Sequence, residues 1–76
     1  MWYFFSSVGT FIIAMEPSGK FGLWIDTVKL AVFFLPEEAV EAVRLQNTGF
    51  APWDDLGGIN APDTLDGWMA MRGSAL

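Results

Sequence analysis

Two apolar segments dominate the first half of the chain. Residues 1–15 contain no charged side chain, and residues 21–35 contain only Asp26 and Lys29. A polar insert, residues 16–20 (EPSGK), separates them, and it is typical of a turn because Pro presets φ and Gly accepts positive φ. We therefore predict one hydrophobic unit over residues 1–35, with a turn at 16–20.

Each apolar segment is compatible with a helix. Residues 1–15 would form a helix about 22 Å long, which crosses a hydrocarbon core of about 30 Å only in a thinned bilayer or among neighbouring subunits. In residues 21–35, Gly22, Asp26 and Lys29 share one narrow arc and apolar side chains occupy the rest, a pattern typical of a helix buried in lipid or protein. The pattern favours a mainly α protein: a small membrane protein with one or two short hydrophobic helices, 1–15 and 21–35. A β-hairpin stays open, since the β-branched and aromatic residues also suit strands.

The second half begins with a strong helix signal. Pro36 followed by Glu37 and Glu38 predicts a short amphipathic helix over residues 36–46, with carboxylates near the positive end of its dipole. Gly49 is available for a left-handed cap at its end. The remaining residues are rich in turn formers and acids, so we predict an extended acidic C-terminal tail. The chain thus divides into a membrane-associated part, 1–35, and a peripheral part, 36–76.

Composition and charge exclude several kinds of chemistry. The 76 residues include no Cys and no His, which rules out disulfides and thiolate metal sites and removes the usual general base. With a net charge of −5 and only four basic residues, the chain is not expected to bind nucleic acid. Asp54, Asp55, Asp63 and Asp66 lack the spacing of a calcium loop. We therefore expect no catalytic residues, no metal site and no enzymatic activity.

Three sets of residues are candidates for contacts. Small side chains recur every four residues and would line one side of a helix for close packing: Ser6, Thr10 and Ala14. Asp26 and Lys29, three residues apart, would form a buried or interfacial ion pair. Large aromatic and thioether side chains are the candidates for contact with a partner protein: Trp24, Trp53, Trp68, Met69 and Met71.

Hydrophobic residues make up 53% of the chain and charged residues 17%, a balance that points to lipid or a permanent partner. Together with the lack of catalytic groups, it favours a non-catalytic role. We expect a small structural or accessory subunit of a large membrane complex, of the energy-converting photosynthetic or respiratory kind. Its partners would be integral-membrane subunits and lipid, in a thylakoid, mitochondrial inner or bacterial inner membrane. It would hold no cofactor of its own but could contact pigments or lipids held by neighbours. The alternative is a soluble interaction module, a β-hairpin followed by short helices, stable only within an oligomer or particle assembly.

Overall fold

A single antiparallel sheet organises the chain. The computed structural model describes residues 1–71. The sheet has five strands in the order β4-β3-β2-β1-β5. The strands are β1 (Trp2–Ser6), β2 (Gly9–Met15), β3 (Phe21–Ile25), β4 (Val28–Phe33) and β5 (Met69–Ala70). The first four strands follow one another as hairpins, and the short β5 pairs with the start of β1.

Tight turns join the four long strands. The Ser6 hydroxyl donates to the Gly9 carbonyl across the β1–β2 turn at 2.6 Å, and Gly9 has a φ of 138°. The predicted turn at 16–20 is present, with the Glu16 N–H donating to the Lys20 carbonyl at 2.7 Å, but it joins two strands. Asp26, at the β3–β4 turn, adopts a left-handed φ of 51°. Asp residues tolerate this region better than most because their short side chains bond locally.

The prediction of a mainly α fold is wrong, and the reason lies in the strand sequences. Side chains alternate between the two faces of a sheet, so a half-buried strand usually alternates apolar and polar residues. In β2, Phe11 and Ile13 are fully buried on one face, but Ile12 and Ala14 on the other face are apolar as well. A strand that is apolar on both faces has the same composition as a helix that is apolar all round.

The predicted membrane-spanning helices are corrected as well. Residues 1–15 and 21–35 form strands, and none of the helices in residues 1–71 has the length and apolar character needed to cross a bilayer. The expected placement in a thylakoid, mitochondrial inner or bacterial inner membrane depended on those helices. That placement is therefore withdrawn together with them.

The second half folds back onto one face of the sheet. The helix predicted at 36–46 is present as α1 (Pro36–Arg44), and the Glu38 carboxylate accepts the N–H groups of Phe34 and Leu35, both at 3.0 Å. A four-residue helix, α2 (Ala51–Asp54), and one 3₁₀ turn (Leu65–Gly67) follow. The predicted extended tail is wrong for residues 47–71. Trp53 and Trp68 belong to the core and expose only 3% and 4% of their surface.

An aromatic cluster forms the centre of the core. Trp53 of α2 packs against Phe4 of β1 and Phe11 of β2, with ring centroids 6.0 and 5.2 Å apart. Trp68 packs against the same Phe4 at 5.5 Å. The two Trp53 pairs are edge-on, an arrangement that aromatic pairs favour, and the Trp68 pair is tilted by 48°. The cluster therefore holds α2 and the segment before β5 on one side of β1 and β2.

The ends of α1 and α2 are stabilised by each other. The indole N–H of Trp53 donates to the Val43 carbonyl in the last turn of α1 at 2.9 Å. The side-chain amide of Gln46 donates to the carbonyls of Trp53 and Leu56, at 2.8 and 2.5 Å, at the end of α2. These bonds satisfy carbonyl groups that a helix cannot satisfy internally.

The residue that ends α1 in the left-handed conformation is Gln46 rather than the expected Gly49. Gln46 has a φ of 56°, the Asn47 N–H bonds to the Ala42 carbonyl at 2.9 Å, and the Gln46 N–H bonds to the Val43 carbonyl at 3.1 Å. This pair of bonds is the Schellman motif, which usually has Gly at this position. The amide bonds of Gln46 to α2 offset the cost of the left-handed backbone.

Substitutions at Gln46 separate the contribution of its side-chain amide bonds from the cost of its left-handed backbone. We expect Gln46→Ala to lower the free energy of unfolding by about 1–3 kcal/mol, because it removes the amide bonds to the carbonyls of Trp53 and Leu56 and keeps the backbone strain. Gln46→Gly loses the same bonds but relieves the strain, so it should be about 1 kcal/mol more stable than the alanine variant. Urea unfolding followed by circular dichroism measures both values. Equal stability of the two variants would contradict this account of the helix end.

Candidate interaction surface

The sheet has one covered face and one open face. The helices and the aromatic cluster cover the face that carries Phe11, Ile13, Leu23 and Ile25. Because cross-strand partners lie on the same face, the strand register assigns the other side chains to the opposite face. We call this the open face, and its strand residues are Tyr3, Phe5, Thr10, Ile12, Ala14, Gly22, Trp24, Lys29, Val32 and Met69.

Apolar and aromatic side chains make up most of the open face. Phe5 exposes 64% of its surface, Met69 56% and Val32 41%. Tyr3, Ile12 and Trp24 lie between them and are half-buried by their neighbours. No helix or loop within residues 1–71 packs over them as the helices do over the other face. The surface therefore has the chemistry of a protein interior without a covering layer.

Charge on the open face is locally neutralised. The Lys29 ammonium forms an ion pair with the Glu16 carboxylate, which lies beside the same face at the end of β2. The side chain of Glu16 is only 19% exposed. The pair spans β2 to β4 across the intervening β3, so it adds no free charge to the centre of the surface.

Trp24 lies close against Gly22 on this face. A Cβ atom at Gly22 would stand 2.9 Å from Nε1 of Trp24 and 3.2 Å from Oε2 of Glu16. Gly22 is therefore needed because a neighbouring indole and carboxylate occupy the space of a side chain. The arrangement keeps the indole close to the sheet.

A shallow depression of about 540 Å³ follows β2 across the open face. Tyr3, Ile12 and Trp24 contribute to its walls. Glu16 and Asp26 also line it, at opposite ends of the sheet because β2 and β3 are antiparallel. A depression lined mainly by apolar groups, with a few polar groups, is the usual form of a binding surface.

The predicted Asp26–Lys29 pair is replaced by other contacts. Lys29 pairs with Glu16, and the carboxylate of Asp26 accepts the backbone N–H of Thr10 at 3.0 Å. The Asp26 N–H also donates to the Thr10 carbonyl at 2.8 Å. The three-residue spacing that would join Asp26 and Lys29 on a helix places Asp26 in the hairpin turn and Lys29 on β4 in the observed fold.

The small residues expected to line one helix side are separated by the sheet. Thr10 and Ala14 lie on the open face, each partly covered, whereas Ser6 lies on the covered face at the end of β1 and bonds within its turn. The four-residue spacing keeps Thr10 and Ala14 on one face because it is also a multiple of two.

The candidates for partner contact separate into two groups. Trp24 and Met69 lie on the open face, and Met71, just beyond β5, is also exposed. Trp53 and Trp68 are core residues of this chain. Sequence reasoning missed Tyr3, Phe5, Ile12 and Val32. The signal that could have found them is the alternation of two apolar sets along each strand, which becomes visible only once the strands are assigned.

Acidic side chains are used mainly in local structure. The Asp54 carboxylate accepts the Thr48 hydroxyl at 2.8 Å and the Gly49 N–H at 2.9 Å. Arg44 forms a two-bond contact with Glu41 on the exposed side of α1, and this hydrogen bond lowers the pKa of the Glu41 carboxyl. In residues 1–71, no three acidic side chains are grouped so that they could hold a metal ion.

Comparison of the chain with protein-family models, with curated proteins and with solved structures finds no match.

Alanine substitutions at two glycines test the packing of the open face. We expect Gly22→Ala to lower the free energy of unfolding by about 1–3 kcal/mol, because the added methyl group displaces the Trp24 indole or the Glu16 carboxylate. Gly57→Ala is the matched control, since Gly57 has no atom within 4 Å of its Cβ position and no positive φ. It should stay within about 0.5 kcal/mol of the parent. Urea unfolding gives both values, and equal effects at the two sites would contradict the packing described for Trp24.

Proposed function

We propose that the chain is a small non-catalytic interaction module, which works by burying the open face of its sheet against another protein in an assembly. The observation that supports it is that both faces of β1–β4 carry apolar side chains, while residues 1–71 cover only one of them. An antiparallel sheet with a solvated face normally presents polar residues there. An extended apolar surface on a folded domain marks an interaction site.

The energetic gain from covering this surface is large relative to the stability of a small domain. Complete burial of an exposed Val, Phe or Met side chain contributes about 1.5–3 kcal/mol. Phe5, Val32 and Met69 all retain such exposed area. A 76-residue chain buries a smaller fraction of its surface than a larger domain does, so a partner that covers three such side chains adds substantially to its stability.

The edge of the sheet at β4 is less suited to binding than the open face. The register between β3 and β4 shifts at Leu23 and Trp24, whose partners are Ala31 and Lys29, so that Leu30 is an extra residue in a bulge. Bulges and lysine side chains on an edge strand both oppose pairing with another strand. The contact is therefore assigned to the open face rather than to the edge at β4.

The hairpins and short helices support the interaction module better than the accessory subunit of a membrane complex, whose expected hydrophobic helices at 1–15 and 21–35 are strands in the structure. The expected contact with lipid or with pigments held by neighbours stays a prediction. The remaining hypothesis needs only a protein surface that complements the open face.

Site-specific photo-crosslinking in the producing cells tests this function. We expect a photoreactive phenylalanine analogue at Val32 to give crosslinked products of defined mass, because Val32 lies on the open face. The matched control is Val28 on the same strand, which is 57% exposed but pairs with Ile25 on the covered face. Products from position 28 should be absent or much weaker. No product from position 32, or equal products from both positions, would overturn the proposal.

A further inference from the structure

We infer that the occupant of the open face is a second copy of this chain, packed sheet against sheet about a two-fold axis. This inference rests on the proposed function and names the partner. Two twisted sheets that pack face to face form a sandwich with an apolar interior about 10 Å thick. In this dimer the helices of both copies lie on the outside, which gives four layers in the order helix, sheet, sheet, helix.

The distribution of charge favours a second copy. The chain has a net charge of −5, so most arrangements of two copies bring like charges together. On the open face Lys29 is neutralised by Glu16, and Asp26 at the β3–β4 turn lines the depression. The exposed acids of α1 and of the 3₁₀ turn lie on the opposite side of the sheet: Glu37, Glu38, Glu41 and Asp66. Sheet-to-sheet packing is thus the arrangement that keeps the acidic surfaces of the two copies apart.

The shape of the open face also favours packing against the same face of a second copy. A two-fold contact uses the same surface on both copies, so that surface must carry both projecting groups and a hollow. The exposed side chains of Phe5, Val32 and Met69 project from the open face, and the depression along β2 lies on the same face. The surface therefore provides both elements that an isologous contact requires.

The size of the open face limits the area that a dimer can bury. Four strands at about 4.8 Å spacing, with about 3.3 Å per residue, give a face of roughly 20 Å by 20 Å. Two such faces bury roughly 800 Å² in total, below the about 1,200 Å² at which stable specific interfaces begin and in the range of weak, transient association. We therefore expect the dimer to dissociate on dilution and to require measurement over a wide range of concentration.

Analytical ultracentrifugation of the full chain and of two lysine variants tests the inference. We expect a reversible dimer at concentrations up to about 1 mM, the range in which weak complexes form. Val32→Lys should raise the dissociation constant by about 100-fold, because the substitution occurs twice in each dimer, removes the burial of two valines and brings two ammonium groups into an apolar contact. Val28→Lys, on the covered face of the same strand, should change it by less than about 3-fold.

Circular dichroism of each variant shows whether the fold is intact. If Val32→Lys does not fold, Met69→Lys on the same face replaces it, since Met69 is 56% exposed and lies on the two-residue strand β5. A dimer that is lost in the open-face variant and retained in Val28→Lys supports the inference. A dimer that resists both open-face variants overturns it.

The two proposals can fail separately. A chain that stays monomeric to about 1 mM, but that crosslinks from position 32 to a different protein, overturns the second copy and leaves the interaction module intact. A product at twice the mass of the chain from position 32 supports both. A monomer that gives no crosslinked product from position 32 overturns both.

Discussion

Contact between Trp53 and the sheet is the interaction on which the rest of the fold depends. The indole ring packs edge-on against Phe4 and Phe11, and its N–H donates to the Val43 carbonyl at the end of α1. One side chain thus joins β1, β2, α1 and α2. Because a chain of this length has neither disulfides nor an extensive core, this apolar contact with its satisfied polar atom accounts for the closing of the second half over the sheet.

The second half of the chain covers one face of the sheet and leaves the opposite face uncovered within residues 1–71. The helices are short, nine and four residues, and the chain places them on the same face together with the 3₁₀ turn. Nothing in residues 1–71 remains to cover Tyr3, Ile12 and Trp24 on the opposite face. The hypothesis of an interaction module follows from this imbalance between two apolar faces and one covering layer.

The parts of the fold that sequence reasoning predicted are those with local causes. The turn at 16–20 and the start of α1 at Pro36 each depend on residues that restrict their own backbone. The left-handed end of α1 was assigned to Gly49 because Gly is the usual residue there, whereas Gln46 adopts it through bonds to α2. Those bonds join residues that are brought together only by the packing of the two helices.

The sequence by itself determined that the first 35 residues are apolar on nearly all sides, and that the chain has no Cys or His to serve as nucleophile, general base or metal ligand. Tertiary structure decided whether that apolar surface belongs to helices or to a sheet with two apolar faces. It also decided that Trp53 and Trp68 serve the core, whereas Trp24 stays on the surface. The physical reason is that composition records how much area must leave water, while the face on which each side chain lies depends on strand pairing between residues far apart in the chain.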